Sequence, residues 1–306
     1  MIGRKFMITS LFAVFVAACA SDSQSGRTEP PEPTDYEQAV EQWHEKRVER
    51  LMREDGWLSL VGLYPLSEGI NRFGSHDDNN LVFPDRAPQE AGVFVLADGE
   101  VKLAVEPGVS ILHNGKTVMA MTLISDAHDS TTVLEMGTFR FHVIERAGKQ
   151  YVRLKDTSAI ARMRFRGIER YPVDERWRIE ARFEEYDPPR TIRVPDVLGN
   201  DTVTACAGAV VFEIDGQECR LEPVSADEES MFIVFGDETS GVETYDGGRF
   251  VYVDAPDEDG RVVIDFNYAY NPPCVFTSYA TCPLPHSANI LPVAVSAGEK
   301  TFVDGL

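Results

Sequence analysis

Residues 210–221 read VVFEIDGQECRL, and this stretch contains a hairpin signal that sets the type of fold we predict. Two short apolar runs flank the dipeptide Asp215-Gly216, and glycine accepts the positive φ that a two-residue hairpin turn requires. The stretch therefore predicts a tight β-hairpin. A two-residue turn at this dipeptide places Phe212 opposite Cys219, because turn length sets the register of a hairpin.

Similar turn signals recur along the rest of the chain. Asp98-Gly99 and Asn114-Gly115 each separate segments rich in Val, Ile, Leu, Phe and Thr, which favour strands. Strands do not alternate with long amphipathic helices, and this argues against a doubly wound or barrel α/β fold. We predict further strands at residues 139–143, 151–154, 177–183, 231–235, 250–253 and 262–266.

One helix is predicted before the strands, at residues 36–55, with Thr34 or Asp35 as its N-cap. Its apolar stripe is narrow, so the helix should lie across a sheet. The sequence therefore predicts a mainly β fold. We expect the helix and a small β unit over residues 36–135, followed by a larger antiparallel β-barrel or sandwich over residues 136–306.

The amino-terminal residues have the features of a secretory signal. Arg4 and Lys5 provide a basic start, and the apolar run that follows is too short for a stable membrane span. The run ends in Val-Ala-Ala-Cys, which resembles the lipobox of bacterial lipoproteins. Residues 1–18 are therefore expected to be a signal peptide, and Cys19 is expected to carry the lipid, including acyl chains such as palmitate.

The residues after Cys19 indicate where the folded part is held. Residues 19–35 contain no large apolar side chain until the predicted helix, so we expect a disordered tether. Ala20 and Ser21 follow the cysteine without an aspartate. By resemblance to bacterial lipoprotein sorting, this favours the outer membrane, with the protein facing the periplasm.

The chain is strongly acidic, with a formal net charge of −21. Such a surface repels phosphate backbones and anionic headgroups, so we expect no nucleic-acid partner and membrane contact only through the lipid on Cys19. One arginine cluster is interleaved with carboxylates, and we interpret it as pairing with them on strand faces. Its members are Arg162, Arg164, Arg166, Arg170, Arg176 and Arg178, with Glu169, Asp174 and Glu175 among them.

The signatures of several enzyme classes are missing from the chain. It contains no G-x-S-x-G, G-x-x-x-x-G-K-[ST], H-E-x-x-H or C-x-x-C motif. This argues against a serine-hydrolase elbow, a phosphate-binding P-loop, a zincin helix and a thioredoxin-like site. The six histidines are dispersed, without a pair that would place two imidazoles on one face. We therefore expect no metal and no cofactor.

Cys274 and Cys282 are expected to form a disulfide. They enclose seven residues with prolines on both flanks, and an oxidising periplasm permits the bridge. Two alternatives remain open: a metal site that adds His286, and a nucleophilic Cys274 with His286 as its base. Cys206 and Cys219 are expected to be free or buried, because the hairpin register does not bring them together.

Ordered motifs in the second half of the chain indicate a family. The carboxyl-terminal ones are Asp265-Phe266-Asn267, Tyr270-Asn271-Pro272-Pro273-Cys274, Thr281-Cys282-Pro283-Leu284-Pro285, Asn289 and Ala297-Gly298-Glu299-Lys300. Upstream are Gly56-Trp57-Leu58, Arg153 with Asp156 and Ser158, Phe165-Arg166-Gly167, Asp174, Asp237 with Thr239-Ser240-Gly241, Thr244-Tyr245 and Arg249-Phe250. With these motifs the chain resembles the domain-of-unknown-function family 1684 over about residues 40–306. The resemblance implies no particular activity, and His286 stands where the family motif continues with proline.

Polar residues of these motifs surround a loop that four prolines stiffen, residues 268–285. We expect this loop to cover a pocket, because polar residues at strand ends beside a rigid loop can line one. In the alternative interpretation, Arg249 pairs with Asp237 or Asp265, and asparagine side chains satisfy backbone groups of the loop. The candidate ligand-binding residues are Asp237, Arg249, Asn267, Tyr270, Asn271 and Asn289, and Thr239 belongs to the same polar set.

The expected function is binding of a small or peptide-like ligand in this pocket, with Arg249 as the partner of an anionic group. The alternative is a hydrolase in which Asp265 or Glu299 activates water, and Asn271 or Arg249 stabilises the developing negative charge. The hydrolase requires these groups to lie together in one cleft. A purely structural envelope protein is the third possibility.

Overall fold

The computed structural model describes residues 33–303. The fold is mainly β, with 44% strand and 14% helix, and one long helix precedes the strands. The prediction of a mainly β fold after one N-terminal helix is therefore confirmed. The predicted signal peptide, Cys19 and residues 20–32 of the predicted tether lie outside the described residues. Within residues 33–303, no helix has the length and apolar character needed to cross a bilayer.

The described part of the chain contains two α-helices, α1 (Asp35–Met52) and α2 (Ile160–Arg164). Single 3-10 turns lie at Trp57–Ser59, Glu175–Trp177, Phe266–Tyr268, Pro273–Val275 and Ser287–Asn289. The strands, in chain order, are β1 (Leu60–Pro65), β2 (Gly69–Gly74), β3 (Leu81–Val82), β4 (Gly92–Ala97), β5 (Glu100–Val105), β6 (Leu112–His113), β7 (Lys116–Thr117), β8 (Ala120–Leu123), β9 (Leu134–Met136), β10 (Phe139–Arg146), β11 (Lys149–Asp156), β12 (Arg178–Pro195), β13 (Asp201–Ile214), β14 (Gln217–Leu221), β15 (Ser225–Ala226), β16 (Ser230–Phe235), β17 (Arg249–Asp254) and β18 (Arg261–Asp265).

Two sheets in the first half of the described chain share one core. A five-stranded sheet has the order β3-β2-β4-β5-β8, and a six-stranded sheet has the order β1-β11-β10-β9-β6-β7. The rings of Phe73 and Phe94 from the first sheet stack at 4.5 Å, and the ring of Phe141 from the second lies 6.0 Å from Phe73. The buried cluster continues to Leu154. The boundary predicted near residue 135 therefore falls inside the six-stranded sheet.

Two further sheets form a second core. A four-stranded sheet has the order β14-β13-β12-β18, and a three-stranded sheet has the order β15-β16-β17. Phe212, Ile233 and Val251, from β13, β16 and β17, are buried in the same cluster. β12 and β13 are 18 and 14 residues long, so the strand predicted at residues 177–183 is only the beginning of a much longer hairpin.

The predicted hairpin turns are present in the structure. Each has positive φ at both central residues, as a two-residue turn of this kind requires. A fourth turn, at Ala147-Gly148, joins β10 to β11 and was not predicted, because alanine is an unusual residue at positive φ. The φ values are 52° and 79° at Asp98 and Gly99, 50° and 73° at Asn114 and Gly115, 50° and 81° at Asp215 and Gly216, and 49° and 72° at Ala147 and Gly148.

The register predicted for the hairpin at Asp215-Gly216 is confirmed. Phe212 lies opposite Cys219 in the pairing of β13 with β14. Cys206, further back on β13, pairs with Arg190 of β12 instead. Both cysteines are free and buried, and burial raises the pKa of each thiol above its usual value.

α1 begins at a capping box. The Thr34 hydroxyl accepts from the Glu37 backbone N–H, and the Glu37 carboxylate accepts from the Thr34 N–H at 2.6 Å. The helix ends at Met52 rather than at the predicted residue 55, because Arg53 has an extended conformation.

The position of α1 differs from the prediction that it lies across a sheet. Its buried residues are Val40, His44, Arg47 and Leu51, and the helix packs on the 3-10 turns Trp57–Ser59 and Phe266–Tyr268. Two of the buried residues are ionisable, which is rare on the inner face of a helix. The contacts that explain them belong to the carboxyl-terminal segment described below.

α2 corrects the interpretation of the arginine cluster. Arg162 and Arg164 lie on this short helix and not on a strand. Arg162 donates to backbone carbonyl oxygens, while Arg170 forms an ion pair with Glu41 of α1. The arginine cluster therefore includes hydrogen bonds to backbone carbonyl oxygens as well as ion pairs with carboxylates, and not all of its members lie on strands.

Candidate functional site

Residues 268–285 leave β18 and are fixed against the second β core at two places. Tyr270 and Phe250 exchange two backbone hydrogen bonds of 2.9 Å. Further along, the Leu284 N–H donates to the carbonyl oxygen of Pro195 at 2.7 Å. Because each end of the loop is bonded to a strand, the loop presents a defined surface to α1.

Cys274 and Cys282 form a disulfide within this loop, with a Cα–Cα distance of 6.1 Å. A disulfide sulfur has no thiolate, so neither cysteine can act as a nucleophile or as a thiolate ligand. His286 lies beside Glu222, with 3.7 Å between the imidazole Nε2 and the carboxylate. No cluster of three or more metal-ligating side chains occurs in residues 33–303.

An aromatic cleft of about 480 Å³ lies between α1, the hairpin of β16 and β17, and the loop of residues 268–285. Seven of its lining residues are aromatic, and its polar groups are two arginines and one asparagine. A mostly apolar concavity with few polar groups is the usual form of a small-ligand site. The lining residues are Trp43, Arg47, Arg50, Leu51, Trp57, Phe232, Phe250, Tyr252, Tyr270, Asn271, Pro273 and Phe276.

Aromatic side chains at the edge of the aromatic cleft remain open to solvent. Tyr252 is 57% exposed and Trp57 is 37% exposed. Arg50 is also exposed, and none of the carboxylates in residues 33–303 forms an ion pair with it. The rim therefore offers aromatic faces and one uncompensated positive charge.

The floor of the cleft is held by one buried ion pair. The Arg47 guanidinium donates to the two oxygens of Glu299, from Nε at 2.5 Å and from Nη2 at 3.1 Å, and Nη2 also donates to the carbonyl oxygen of Asn271 at 2.8 Å. Glu299 also accepts from the Asn271 N–H at 2.7 Å. The guanidinium carbon lies 4.4 Å from the ring centre of Tyr270. Burial raises the pKa of the Tyr270 hydroxyl, so this group stays neutral.

Two of the predicted ligand-binding residues lie elsewhere, in the second β core. Arg249 and Asp237 form an ion pair at 2.7 Å with no solvent exposure of either side chain. Asp237 also accepts from the N–H and the hydroxyl of Thr239, at 2.8 and 2.6 Å. Arg249, which was predicted to bind an anionic group of the ligand, is therefore paired with the Asp237 carboxylate. This agrees with the alternative interpretation, in which Arg249 pairs with a carboxylate of the protein.

The predicted asparagines satisfy backbone groups. Asn267 accepts from the Asp174 N–H at 3.1 Å and donates to the Asp174 carbonyl oxygen at 2.9 Å. Asn289 bonds the N–H and carbonyl oxygen of Glu222 and the carbonyl oxygen of Val234, each at 2.8 Å. Of the six predicted ligand-binding residues, only Tyr270 and Asn271 line the aromatic cleft.

The two predicted catalytic carboxylates do not lie together. Asp265 accepts from the Tyr36 hydroxyl at 2.8 Å, whereas Glu299 binds Arg47. Tyr36 and Arg47 are at opposite ends of α1, and eleven residues of helix span about 16 Å. The two candidate bases therefore have different partners: Asp265 is bonded to Tyr36, whereas Glu299 is paired with Arg47 and accepts from the Asn271 N–H.

Residues 163–300 match the family model described as Protein of unknown function (DUF1684). The chain belongs to this family. The match is shorter than the motif resemblance over residues 40–306, and Trp57 and Arg153 fall outside it. No curated protein matches the chain.

Solved structures similar to this DUF1684 chain include a solution NMR structure of an uncharacterized protein from Haloarcula marismortui. It is 30% identical, the alignment covers 46% of this chain and 79% of that chain, and the TM-score is 0.38. Two structures of FHA domains, one in complex with the intracellular domain of Rv3910 and one titled for phosphothreonine-dependent interactions, are each 15% identical. They cover 30% of this chain and 97% and 92% of their own, at TM-scores of 0.22. TM-scores this low carry no functional information.

The aromatic cleft joins the DUF1684 segment to residues that precede it. Phe232, Tyr252 and Tyr270 belong to the matched residues, whereas Trp43, Arg47, Arg50, Leu51 and Trp57 do not. Sequence reasoning missed these five. The sequence contains one signal for them, which is the position of Arg47 within the apolar stripe of α1. Arg47 is four residues after Trp43 and four before Leu51, so it lies on the same helix face as these apolar residues.

A larger concavity of about 850 Å³ is lined mainly by residues of the sheet that contains β12 and β18. Eight of its fourteen lining residues are charged, unlike the mostly apolar lining of a small-ligand site, and two of them, Arg182 and Glu218, form an ion pair at 3.5 Å. Exposed pairs of this kind contribute little to binding or stability. The smaller aromatic cleft is therefore the better candidate site in this DUF1684 protein.

His142 provides a test of the electrostatics near Trp57. Burial, with Arg153 opposite it on β11 and Lys155 nearby, lowers the pKa of His142 to about 4. On acidification, His142 is protonated at about pH 6.5 in the unfolded chain but only at about pH 4 in the folded chain. The free energy of unfolding therefore falls between these two pH values. Urea unfolding at pH 7 and pH 4.5 measures how much the free energy of unfolding falls on acidification. In His142→Gln this fall should be smaller than in the parent by about 1–2 kcal/mol, a value that is reduced for solvent screening. An equal loss in both proteins would contradict this prediction.

Proposed function

We propose that this protein is a lipid-anchored protein of the bacterial cell envelope that binds a small or peptide-like ligand in the aromatic cleft. The composition of the cleft is the observation that carries the proposal. The cleft has a volume of about 480 Å³ and is lined by seven aromatic side chains. The ion pair of Arg47 with Glu299 holds its floor, and Arg50 at the rim has no carboxylate partner in the described part of the chain. Such a combination suits a ligand-binding site.

The ligand should combine an apolar or planar group with a negative charge. The open faces of Trp57 and Tyr252 favour stacking against such a group. Arg50 favours a carboxylate, because Glu299 already neutralises Arg47. A peptide with a hydrophobic side chain and a free carboxyl terminus has both features, as does a small aromatic acid.

The cleft needs little rearrangement to accept such a ligand. Arg47 is bonded to Glu299 and to the backbone of Asn271, and the disulfide between Cys274 and Cys282 closes the loop behind it. A wall that is already ordered loses less conformational entropy on binding. The affinity then depends mainly on the side chains at the rim.

The location is supported by separate observations. The lipobox-like sequence at Cys19 favours a lipid anchor and an outer-membrane position facing the periplasm. A disulfide is typical of proteins in an oxidising compartment. The net charge of −21 disfavours direct contact with anionic headgroups, so the anchor on Cys19 supplies the membrane contact in this proposal.

Tryptophan fluorescence of the purified protein tests the binding function directly. Two of the three tryptophans, Trp43 and Trp57, line the aromatic cleft. Titration with short hydrophobic peptides and aromatic carboxylates should change the emission, and mass spectrometry of the purified protein should detect a co-purified ligand. The variants Tyr252→Ala and Arg50→Ala should each weaken binding by about tenfold, with unfolding free energies within about 1 kcal/mol of the parent because both side chains are exposed.

Tyr279→Ala is the matched control. Tyr279 is an exposed tyrosine, 38% accessible, that does not line the cleft. Its removal should leave binding unchanged. If Tyr252→Ala binds as tightly as Tyr279→Ala, or if no compound changes the emission and none co-purifies, the cleft is not a ligand site.

A further inference from the structure

Arg153 is a buried arginine without a carboxylate partner. It lies on β11, between β1 and β10 in the six-stranded sheet, and is 5% exposed. Among residues 33–303 its only side-chain hydrogen bond is from Nη2 to the Thr281 hydroxyl at 3.1 Å, and its buried Nε has no partner. A guanidinium stays charged at neutral pH, and a buried uncompensated charge is costly, so the arrangement needs an explanation.

A second arginine meets the first at the same hydroxyl. Arg146 donates from Nε to Thr281 Oγ1 at 3.3 Å, while its two terminal nitrogens bind Asp126 at 3.0 and 2.8 Å. Asp126 is bonded to Arg146 and not to Arg153, so one carboxylate serves two arginines and the cluster keeps a net positive charge. The Thr281 oxygen accepts from both arginines, so its own hydrogen can be donated to a third group.

The surroundings of Arg153 contain one carboxylate, Asp126, and several basic groups. Lys155 follows it on the same face of β11, and His142 lies opposite it on β10. Burial and the charge of Arg146 lower the pKa of Arg153 to about 10, although the Asp126 carboxylate acts in the opposite direction. The chain has 50 acidic residues against 29 basic ones, so a buried cluster with a net positive charge is contrary to its overall charge.

We propose that Arg153, Arg146 and Thr281 form a binding site for a small oxyanion, such as phosphate or a carboxylate. The anion would accept from the unpartnered Nε of Arg153 and from the Thr281 hydroxyl, and hydrogen bonds in which one partner is charged are stronger than those between neutral groups. The inference does not depend on the function proposed for the aromatic cleft.

The site is accessible from one side. The Arg146 side chain is 33% exposed, and Thr281 is partly exposed. The other side is closed by the ring of Trp57, whose centre lies 5.5 Å from the Arg153 guanidinium carbon. In the proposed site an anion approaches Arg153 from the partly exposed side, beside Arg146 and Thr281.

Thermal unfolding of the full-length protein with inorganic phosphate or acetate as the probe tests the site. Sodium chloride keeps the ionic strength constant, because screening alone changes surface electrostatics. At a phosphate concentration a hundredfold above Kd, the melting temperature should rise by about 5 °C. Calorimetric titration should give one site per chain, and comparison of the two probes shows whether the site prefers phosphate or carboxylate.

Three variants separate an anion site from a structural arginine. Arg153→Met removes the cation and should abolish the response, and in anion-free buffer it should melt no lower than the parent. Thr281→Val keeps the shape, removes the hydroxyl and should weaken binding about tenfold. Arg140→Met is the control, because Arg140 lies on the same sheet face but pairs with Glu135 at 3.1 Å. It should respond like the parent.

Either of two results would overturn the proposal. The first is a melting temperature that phosphate and acetate raise no more than sodium chloride does. The second is a Thr281→Val variant, or a folded Arg153→Met variant, that binds the probe like the parent. If Arg153→Met does not fold, Arg153 is needed for folding, and Thr281→Val alone decides whether the anion is bound.

Discussion

Replacement of Asp237 with alanine is expected to lower the free energy of unfolding by about 3–5 kcal/mol. Arg249 would keep its charge with no solvent exposure, and its remaining partners would be the carbonyl oxygens of Val295 and Ala297. The backbone N–H and hydroxyl of Thr239 would also lose their acceptor. Urea unfolding at pH 7 followed by circular dichroism measures the change.

Two comparisons show whether the uncompensated charge causes this loss. Asp259→Ala removes the partner of Arg261, and both of those side chains are about two-thirds exposed or more, so the change should stay below about 1 kcal/mol. The double variant Asp237→Ala with Arg249→Met removes the stranded cation and should be more stable than Asp237→Ala alone. A double variant that is less stable would show that packing around Arg249, and not its charge, dominates.

Arg47→Met is expected to destabilise the protein by a similar amount at pH 8, about 3–5 kcal/mol. The Glu299 carboxylate is 1% exposed and would be left with the Asn271 N–H as its near partner. The same change removes the contact of α1 with the carbonyl oxygen of Asn271. The helix should therefore become easier to detach, which hydrogen exchange of its amides would detect.

This destabilisation should decrease on acidification, because His44 can replace the lost cation. Its Nδ1 lies 3.8 Å from Glu299, and in the parent protein burial, assisted by Arg47, holds its pKa below 6.5. Without Arg47, the unpaired Glu299 should raise the folded-state pKa of His44 above its unfolded value. The pair of protonated His44 with Glu299 then makes its full contribution to the free energy of unfolding below about pH 6.5. This contribution is lost as the pH rises through the raised pKa of His44.

The difference between the parent and Arg47→Met should accordingly be smaller at pH 5.5 than at pH 8. Unfolding by urea at the two pH values measures it. The double variant Arg47→Met with His44→Gln lacks the imidazole and should not recover at pH 5.5. If it recovers as Arg47→Met does, then protonation of Glu299 itself, and not His44, compensates for the missing arginine.

Local features of the fold could be predicted from sequence because they depend on neighbouring residues. The turn at Asp215-Gly216 fixed the pairing of Phe212 with Cys219, and a hairpin register follows from turn length alone. The capping box of Thr34 and Glu37 likewise acts within one helical turn. The long hairpin of β12 and β13 was recognised only in part, since charged residues interrupt its alternating pattern.

The candidate site was predicted poorly because its residues come from distant parts of the chain. Arg47 and Glu299 are 252 positions apart, and nothing local links them. Polar residues near the loop were expected to face a ligand, but Asp237, Arg249, Asn267 and Asn289 are bonded to each other or to the backbone. Buried polar groups need partners inside the protein before they are free to bind anything else.

The ion pair between α1 and the carboxyl-terminal segment also determines where this chain can be cut. A fragment trimmed to the matched residues 163–300 would keep Glu299 but lose Arg47, and it would keep Asp265 but lose Tyr36. It would also lose one wall of the aromatic cleft. The smallest autonomously folding portion should therefore start at the cap of α1, well before the borders that family similarity suggests.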